Sequence, residues 1–172
     1  PDLDRLEFHR VLGSLAEKTA RVGELAATIA EENAADVDSN RLHDAAGLAK
    51  ADLLTHMVAE FPELQGVMGG PYLRLDGADE GLWTAVRDHY LPVGFEGSAP
   101  ESEIGRLLGV ADRLDTVAGL FAVGEKPTGS KDPFGLRRAA QGAVKIIAES
   151  GWEGDLDKLM ESAVAAVAEY SD

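Results

Sequence analysis

The sequence predicts an all-α protein, a compact bundle of about six or seven helices. Three observations carry this. Apolar residues recur three or four apart over most of the chain, the spacing of one helix face. No stretch sustains a two-residue apolar–polar alternation, so there is no strong strand signal. Glycine, proline and capping residues fall between the periodic stretches, where helices begin and end.

The elements follow in order. From Leu3 to Ala30, residues such as Leu6, Val11, Leu15, Val22, Leu25 and Ile29 keep the helical spacing, predicting one long helix or two joined near Gly13. Asp36-Val37-Asp38-Ser39 supplies N-cap chemistry for a helix over about Ser39–Glu60, which Pro62 stops or restarts. Residues 66–81 hold six glycines and prolines and read as a loop with at most a short helical turn. A helix over about Asp79–Tyr90 ends before Pro92. Ser98 with Glu101 offers a cap for the next, Glu101–Val123, and two more are expected at about Asp132–Ser150 and Asp155–Tyr170. This divides the chain into a helical domain over 1–150 and a C-terminal helix, 151–172, that packs on it or leads to a further domain.

With 172 residues, 16 Lys and Arg, 31 Asp and Glu, and a net charge of −15, the surface repels polyanions in general. A nucleic-acid coat over the whole molecule is excluded, so any such binding needs a local basic patch. One patch exists. Between Glu125 and Lys145 five basic residues face two acidic ones, a local +3 that leaves −18 for the rest. Lys126 and Lys131 flank a Pro-Thr-Gly-Ser turn, and Asp132-Pro133 can open the helix bearing Arg137 and Arg138, so backbone N–H groups and cations together suit a phosphate. A solvated turn whose cations pair with nearby acids fits the same residues.

There is no cysteine, which removes disulfides, thiolate zinc sites and cysteine nucleophiles and suits the cytoplasm. No apolar run is long enough to span a bilayer, and the first residues are charged where a signal peptide is apolar. Pro1 in place of methionine, with helical pattern from the outset, points to a segment of a longer chain; a processed N-terminus begins the same way. His43-Asp44 could offer metal ligands but sits at the polar start of its helix, where capping suits it better. Asp52 and His56 share a helix face at i, i+4 spacing. His89, at a helix end, can satisfy terminal carbonyls. There is no P-loop and no dinucleotide-binding fingerprint.

Several strings carry more. Lys50-Ala51-Asp52-Leu53-Leu54-Thr55, Met57 through Gly69, His89-Tyr90-Leu91-Pro92, Ala111-Asp112-Arg113-Leu114-Asp115-Thr116 and Gly124 through Phe134, continuing to Arg137-Arg138, together resemble the beta subunit of bacterial heterotetrameric glycyl-tRNA synthetase. The resemblance covers about Leu6 to Ile147. It implies a helical HD-type domain within a longer subunit that grips tRNA(Gly), with ATP and magnesium used by the holoenzyme at a separate alpha subunit and no cofactor in this segment. The expected partners are that alpha subunit, the rest of the beta subunit and tRNA(Gly), in the cytoplasm and away from membranes.

An HD hydrolase gathers a histidine, a histidine–aspartate pair and a later aspartate around metal. Here the corresponding positions hold Lys18, Ala51-Asp52 and Asp112, a degenerate set that implies no metal and no catalytic residue, with Lys18 neutralising Asp52 and Asp112 in a buried network. The phosphate-binding residues implied are Lys126, Lys131, Arg137 and Arg138. Two other functions stay open: a metal-dependent HD-type phosphohydrolase, and a structural module docking neighbours through Glu60–Gly69, whose Phe61, Leu64, Val67 and Met68 suit core packing as well.

Overall fold

In the computed structural model, which describes residues 2–94 and 96–168, helix is the dominant structure, as the periodicity predicts. Eight α-helices are present among these residues, with one two-stranded hairpin. The hairpin is the first departure from the expected Leu3–Ala30 helix. A 3-10 turn at Leu3–Arg5 leads to β1 (Glu7–His9), which pairs antiparallel with β2 (Gly13–Ser14), and only then does α1 run, Leu15–Glu32. Gly13, at φ +82°, permits the reversal. Ser14 then fixes the helix start through a capping box: its Oγ accepts from Glu17 N, and Glu17 Oε2 accepts from Ser14 N. The apolar spacing before Gly13 is real but serves the turn, which pushes Leu3 and Leu12 into the core.

The predicted Ser39–Glu60 helix is broken in three. Asp38 caps α2 (Ser39–Leu48) by accepting from Asn40 N, a 3-10 turn spans Ala51–Leu54, and Thr55 caps α3 (His56–Glu60). The break turns the Lys50 side chain inward, where it is 5 % exposed. The glycine-rich stretch holds a helix, α4 (Gly69–Leu75), rather than a loop. Gly69 and Gly70 are needed there because a Cβ at 70 would lie 2.5 Å from the Arg87 Cβ, so glycine lets α4 lie directly on α5 (Glu80–Asp88). Arg41 pairs with the carboxylate of Asp79, the α5 cap, tying α2 to α5.

Helix α6 (Glu103–Ala122) is the axis of the fold. Its cap is Ser102 rather than Ser98, with Ser102 Oγ accepting from Gly105 N. Eleven of its twenty residues are buried, including Leu107, Leu108, Val110 and Ala111. It packs against α1, α2 and α5, and against α7 (Leu136–Ser150) and α8 (Leu156–Ala168). Leu25, Ala26 and Ile29 of α1, Ile146 of α7 and Leu159 and Val167 of α8 close the core around it. Burying each large aliphatic side chain contributes about 1.5–3 kcal/mol. The expected end of the last helix, at Tyr170, lies outside the described residues. No helix among those described is long and apolar enough to cross a membrane.

Gly66 gives a direct check on this packing. It sits at φ +77°, and a Cβ there would come 2.3 Å from Cδ2 of the Tyr90 ring. Gly66→Ala is expected to cost at least about 1–2 kcal/mol from left-handed backbone alone, with the ring clash added. A urea titration reads it; a loss below about 0.5 kcal/mol would show that the 66–69 segment yields freely.

Candidate nucleic-acid interface and the buried lysine–aspartate cluster

Asp112, Asp115 and Thr116 lie three and four residues apart on α6, so they share one face, and Lys18 and Arg21 do the same on α1. Where the two helices cross, Lys18 Nζ stands 2.8 Å from Asp115 Oδ2 and donates at 2.8 Å to Thr116 Oγ1. It also lies 3.1 Å from Asp112 Oδ1, an ion-pair contact without hydrogen-bond geometry. Arg21 Nε donates to Asp115 Oδ1 at 2.7 Å. Lys50, from the break after α2, reaches Asp112 Oδ2 at 2.9 Å and His89 Nε2 at 3.1 Å, with its ammonium 3.9 Å from the centre of the Tyr90 ring. The cluster is thus three cations around two carboxylates, all buried but Asp112, whose side chain is 14 % exposed where it meets the neighbouring cleft.

Its electrostatics follow from that shielding. Burial pushes the Asp112 carboxyl up, but Lys18 and Lys50 outweigh it and hold the group well below its ordinary value. Burial likewise pushes the Lys50 ammonium down, and the Asp112 carboxylate reverses this and leaves it raised. For His89 the balance falls the other way: burial, reinforced by the Lys50 charge, outweighs the Asp112 carboxylate and the Val86 carbonyl and lowers it to about 3. It is therefore neutral at pH 7, its Nδ1–H donating to the Val86 carbonyl at 2.7 Å and its Nε2 accepting from Lys50. The helix-end role expected for His89 is met.

That lowered value makes stability depend on pH. Unfolding restores the ordinary value of 6.5, so the unfolded chain takes up a proton before the folded one does as pH falls. Stability is complete above 6.5 and declines towards pH 3 by about 1.4 kcal/mol per pH unit while that extra proton is bound. His43, held up chiefly by the Ser39 carbonyl, works in the opposite sense, but it is exposed and screened. Urea midpoints at pH 7 and pH 5 check this; equal midpoints would contradict it.

Of the four positions compared with HD-type ligands, the structure unites Lys18 and Asp112 and leaves Asp52 apart. Asp52 Oδ2 accepts from Gly66 N at 2.7 Å, with Oδ1 left without a hydrogen bond, and burial raises its carboxyl. Ala51 and Asp52 instead line a smaller cleft beside Tyr72 and Leu75. Lys18 therefore neutralises Asp112 and Asp115, not Asp52, and Lys50, one residue before the expected pair, reaches the cluster. A divalent ion beside Asp112 would meet two ammonium groups, so this donor set does not fit one. The sequence assigns no site role to Arg21, Lys50 or Asp115, and gives His89 only a helix-end role. The matching i, i+3 spacing of Lys18–Arg21 and Asp112–Asp115 was the available signal. Asp52 and His56 do not share a face, because the chain breaks between them and leaves Asp52 buried and His56 exposed. His43 bonds Ser39 O and Glu24, away from the cluster.

The basic window is arranged differently. Lys126, Lys131, Arg137 and Arg138 are all exposed, and no carboxylate among the described residues forms an ion pair with them. Thr128 and Lys131 exchange backbone hydrogen bonds of 2.9 and 2.8 Å, which shape the turn between the two lysines. The helix start is not open to an anion as expected. α7 begins at Leu136, and Asp132 accepts from Leu136 N at 2.8 Å and Arg137 N at 3.0 Å, so a carboxylate of the chain already fills the position where a phosphate would sit. Lys145 is tied to Glu149 at 2.9 Å.

Between α6, α7 and the segments at 63–67 and 90–94 lies a cleft of about 850 Å³. Asp112 forms part of its wall and Arg138 lines it; Lys126, Lys131 and Arg137 do not. Phe61 and Val67 are each 50 % exposed, so half of the apolar set in Glu60–Gly69 faces outward rather than into the core.

The chain matches the family described as Glycyl-tRNA synthetase beta subunit over residues 1–171. It is 46% identical over 159 residues to the glycine–tRNA ligase beta subunit of Streptococcus mutans, covering 92% of this chain and 23% of that protein. The corresponding proteins of Streptococcus thermophilus and Streptococcus pyogenes are 46% and 47% identical over 161 residues, 93% of this chain and 24% of each. The chain thus spans just under a quarter of the length of these relatives.

Proposed function

Since the chain belongs to the glycyl-tRNA synthetase beta subunit family, we propose that it works as a degenerate HD-like, tRNA-holding domain of that aminoacyl-tRNA synthetase. On this reading it sits within a longer beta subunit in the cytoplasm and supports aminoacylation of tRNA(Gly). ATP and magnesium act at the alpha subunit, and this segment contributes grip without a cofactor. The observation that supports it most is the set of four exposed cations, Lys126, Lys131, Arg137 and Arg138, without carboxylate partners among the described residues of a chain at −15. In an acidic protein, cations left unpaired are available to an external polyanion.

Phosphate contacts release counterions, so affinity for tRNA should fall steeply with salt. Titrating the protein with tRNA(Gly) at 50 and 200 mM salt tests the reading; no binding at the lower salt would overturn it. The exposed Phe61 and Val67 favour a second, compatible role, in which that patch docks against the rest of the beta subunit or the alpha subunit.

A further inference from the structure

The cleft beside the cluster differs from the basic loop in being concave and mixed in character. Its volume falls within the roughly 300–1,000 Å³ typical of small-ligand sites. Its apolar and aromatic lining includes Pro92, Val93 and Phe134, a residue 45 % exposed. Arg138 brings a guanidinium with no carboxylate partner among the described residues, and Gln141 brings an amide that both donates and accepts. Asp112 does not make the cleft anionic, because Lys18 and Lys50 stand on its two oxygens. A flat apolar surface, a polar edge-reader and a phosphate-shaped cation are the three things one nucleotide needs.

We propose that this cleft binds a single unpaired nucleoside monophosphate unit, its base against Phe134 and Pro92, its edge at Gln141 and its phosphate at Arg138. The proposal rests on the tRNA-holding reading for its source, an unstacked nucleotide of an RNA strand tracked by the cations of the 126–138 loop. A free mononucleotide has the same chemistry.

The test titrates the full chain with AMP, CMP, GMP and UMP separately, with inorganic phosphate, and with tRNA(Gly), following amide NMR shifts. At least one mononucleotide should shift residues around Tyr90, Thr116 and Gln141 where phosphate alone does not. Gln141→Trp, which fills the cleft without changing charge, and Phe134→Ala, which removes the ring, should each weaken that binding about fivefold or more. Neither should alter the salt dependence of tRNA binding, which belongs to the loop cations. Displacement of the mononucleotide by tRNA assigns the site to RNA, and its failure to be displaced assigns it to the free nucleotide; both support the cleft. No mononucleotide shift at cleft residues, or binding indifferent to both variants, overturns the inference while leaving tRNA binding intact. Loss of salt-dependent tRNA binding in the unmodified chain overturns the broader reading instead.

Discussion

Asp112→Ala is expected to lower the free energy of unfolding by about 3–5 kcal/mol, the usual cost of leaving buried charge uncompensated. The carboxylate serves two ammonium groups at once, Lys18 at 3.1 Å and Lys50 at 2.9 Å, and neither can reach water as the chain is folded. Lys18 retains Asp115 at 2.8 Å after the change. Lys50 keeps only neutral His89 and the face of Tyr90, so most of the loss falls on the segment just after α2. Lys18→Met should cost less than Asp112→Ala, because removing one of three cations leaves Lys50 on Asp112 and Arg21 on Asp115. Urea unfolding of the three proteins, monitored by circular dichroism, provides the ranking. If Asp112→Ala loses less than about 1 kcal/mol, or Lys18→Met loses more than it, the cluster is not held together by Asp112.

The second large effect concerns RNA. Replacing Lys126, Lys131, Arg137 and Arg138 together with glutamine should flatten the dependence of log K on log salt by about 0.7–0.9 per phosphate contact removed, and reduce tRNA(Gly) affinity at low salt by orders of magnitude. Single replacements should each remove about one counterion's worth. Asp132→Asn separates charge from capping. It removes the negative charge at the start of α7, retains one acceptor for Leu136 N or Arg137 N, and should tighten tRNA binding while costing under about 1 kcal/mol of stability. Filter binding across a salt series measures all of these; an unchanged slope in the fourfold variant would move the RNA contact elsewhere on the chain.

These two sites were unequally legible. Lys126, Lys131, Arg137 and Arg138 stand out as a local excess of positive charge because charge density is a property of neighbours in sequence. What the sequence could not reveal is that Asp132 folds back onto the helix start, since capping geometry depends on where Gly135 turns the chain. The buried cluster was only half visible. The resemblance points to Lys18 and Asp112, but Asp52 does not join them: Asp115 is the second carboxylate at Lys18, and Lys50 supplies a second ammonium to Asp112. The exchange of Asp52 for Lys50 has one cause: the helix expected over Ser39–Glu60 breaks at Ala49–Lys50, and a broken helix redistributes which side chains face inward.

Helical class, the positions of α5 and α6, the starts of α2 and α8, the end of α7 and the basic island were determined by the sequence alone, because periodicity, caps and net charge are set by residues within a few positions of each other. The tertiary structure decided the rest. The hairpin before α1, the helix that starts on Gly69-Gly70 and the inward turn of Lys50 depend on what each segment packs against. The meeting of Lys18, Lys50, His89, Asp112 and Asp115 joins residues up to 97 positions apart, and the crossing of α1 and α6 is what brings Lys18 within 3 Å of Asp115.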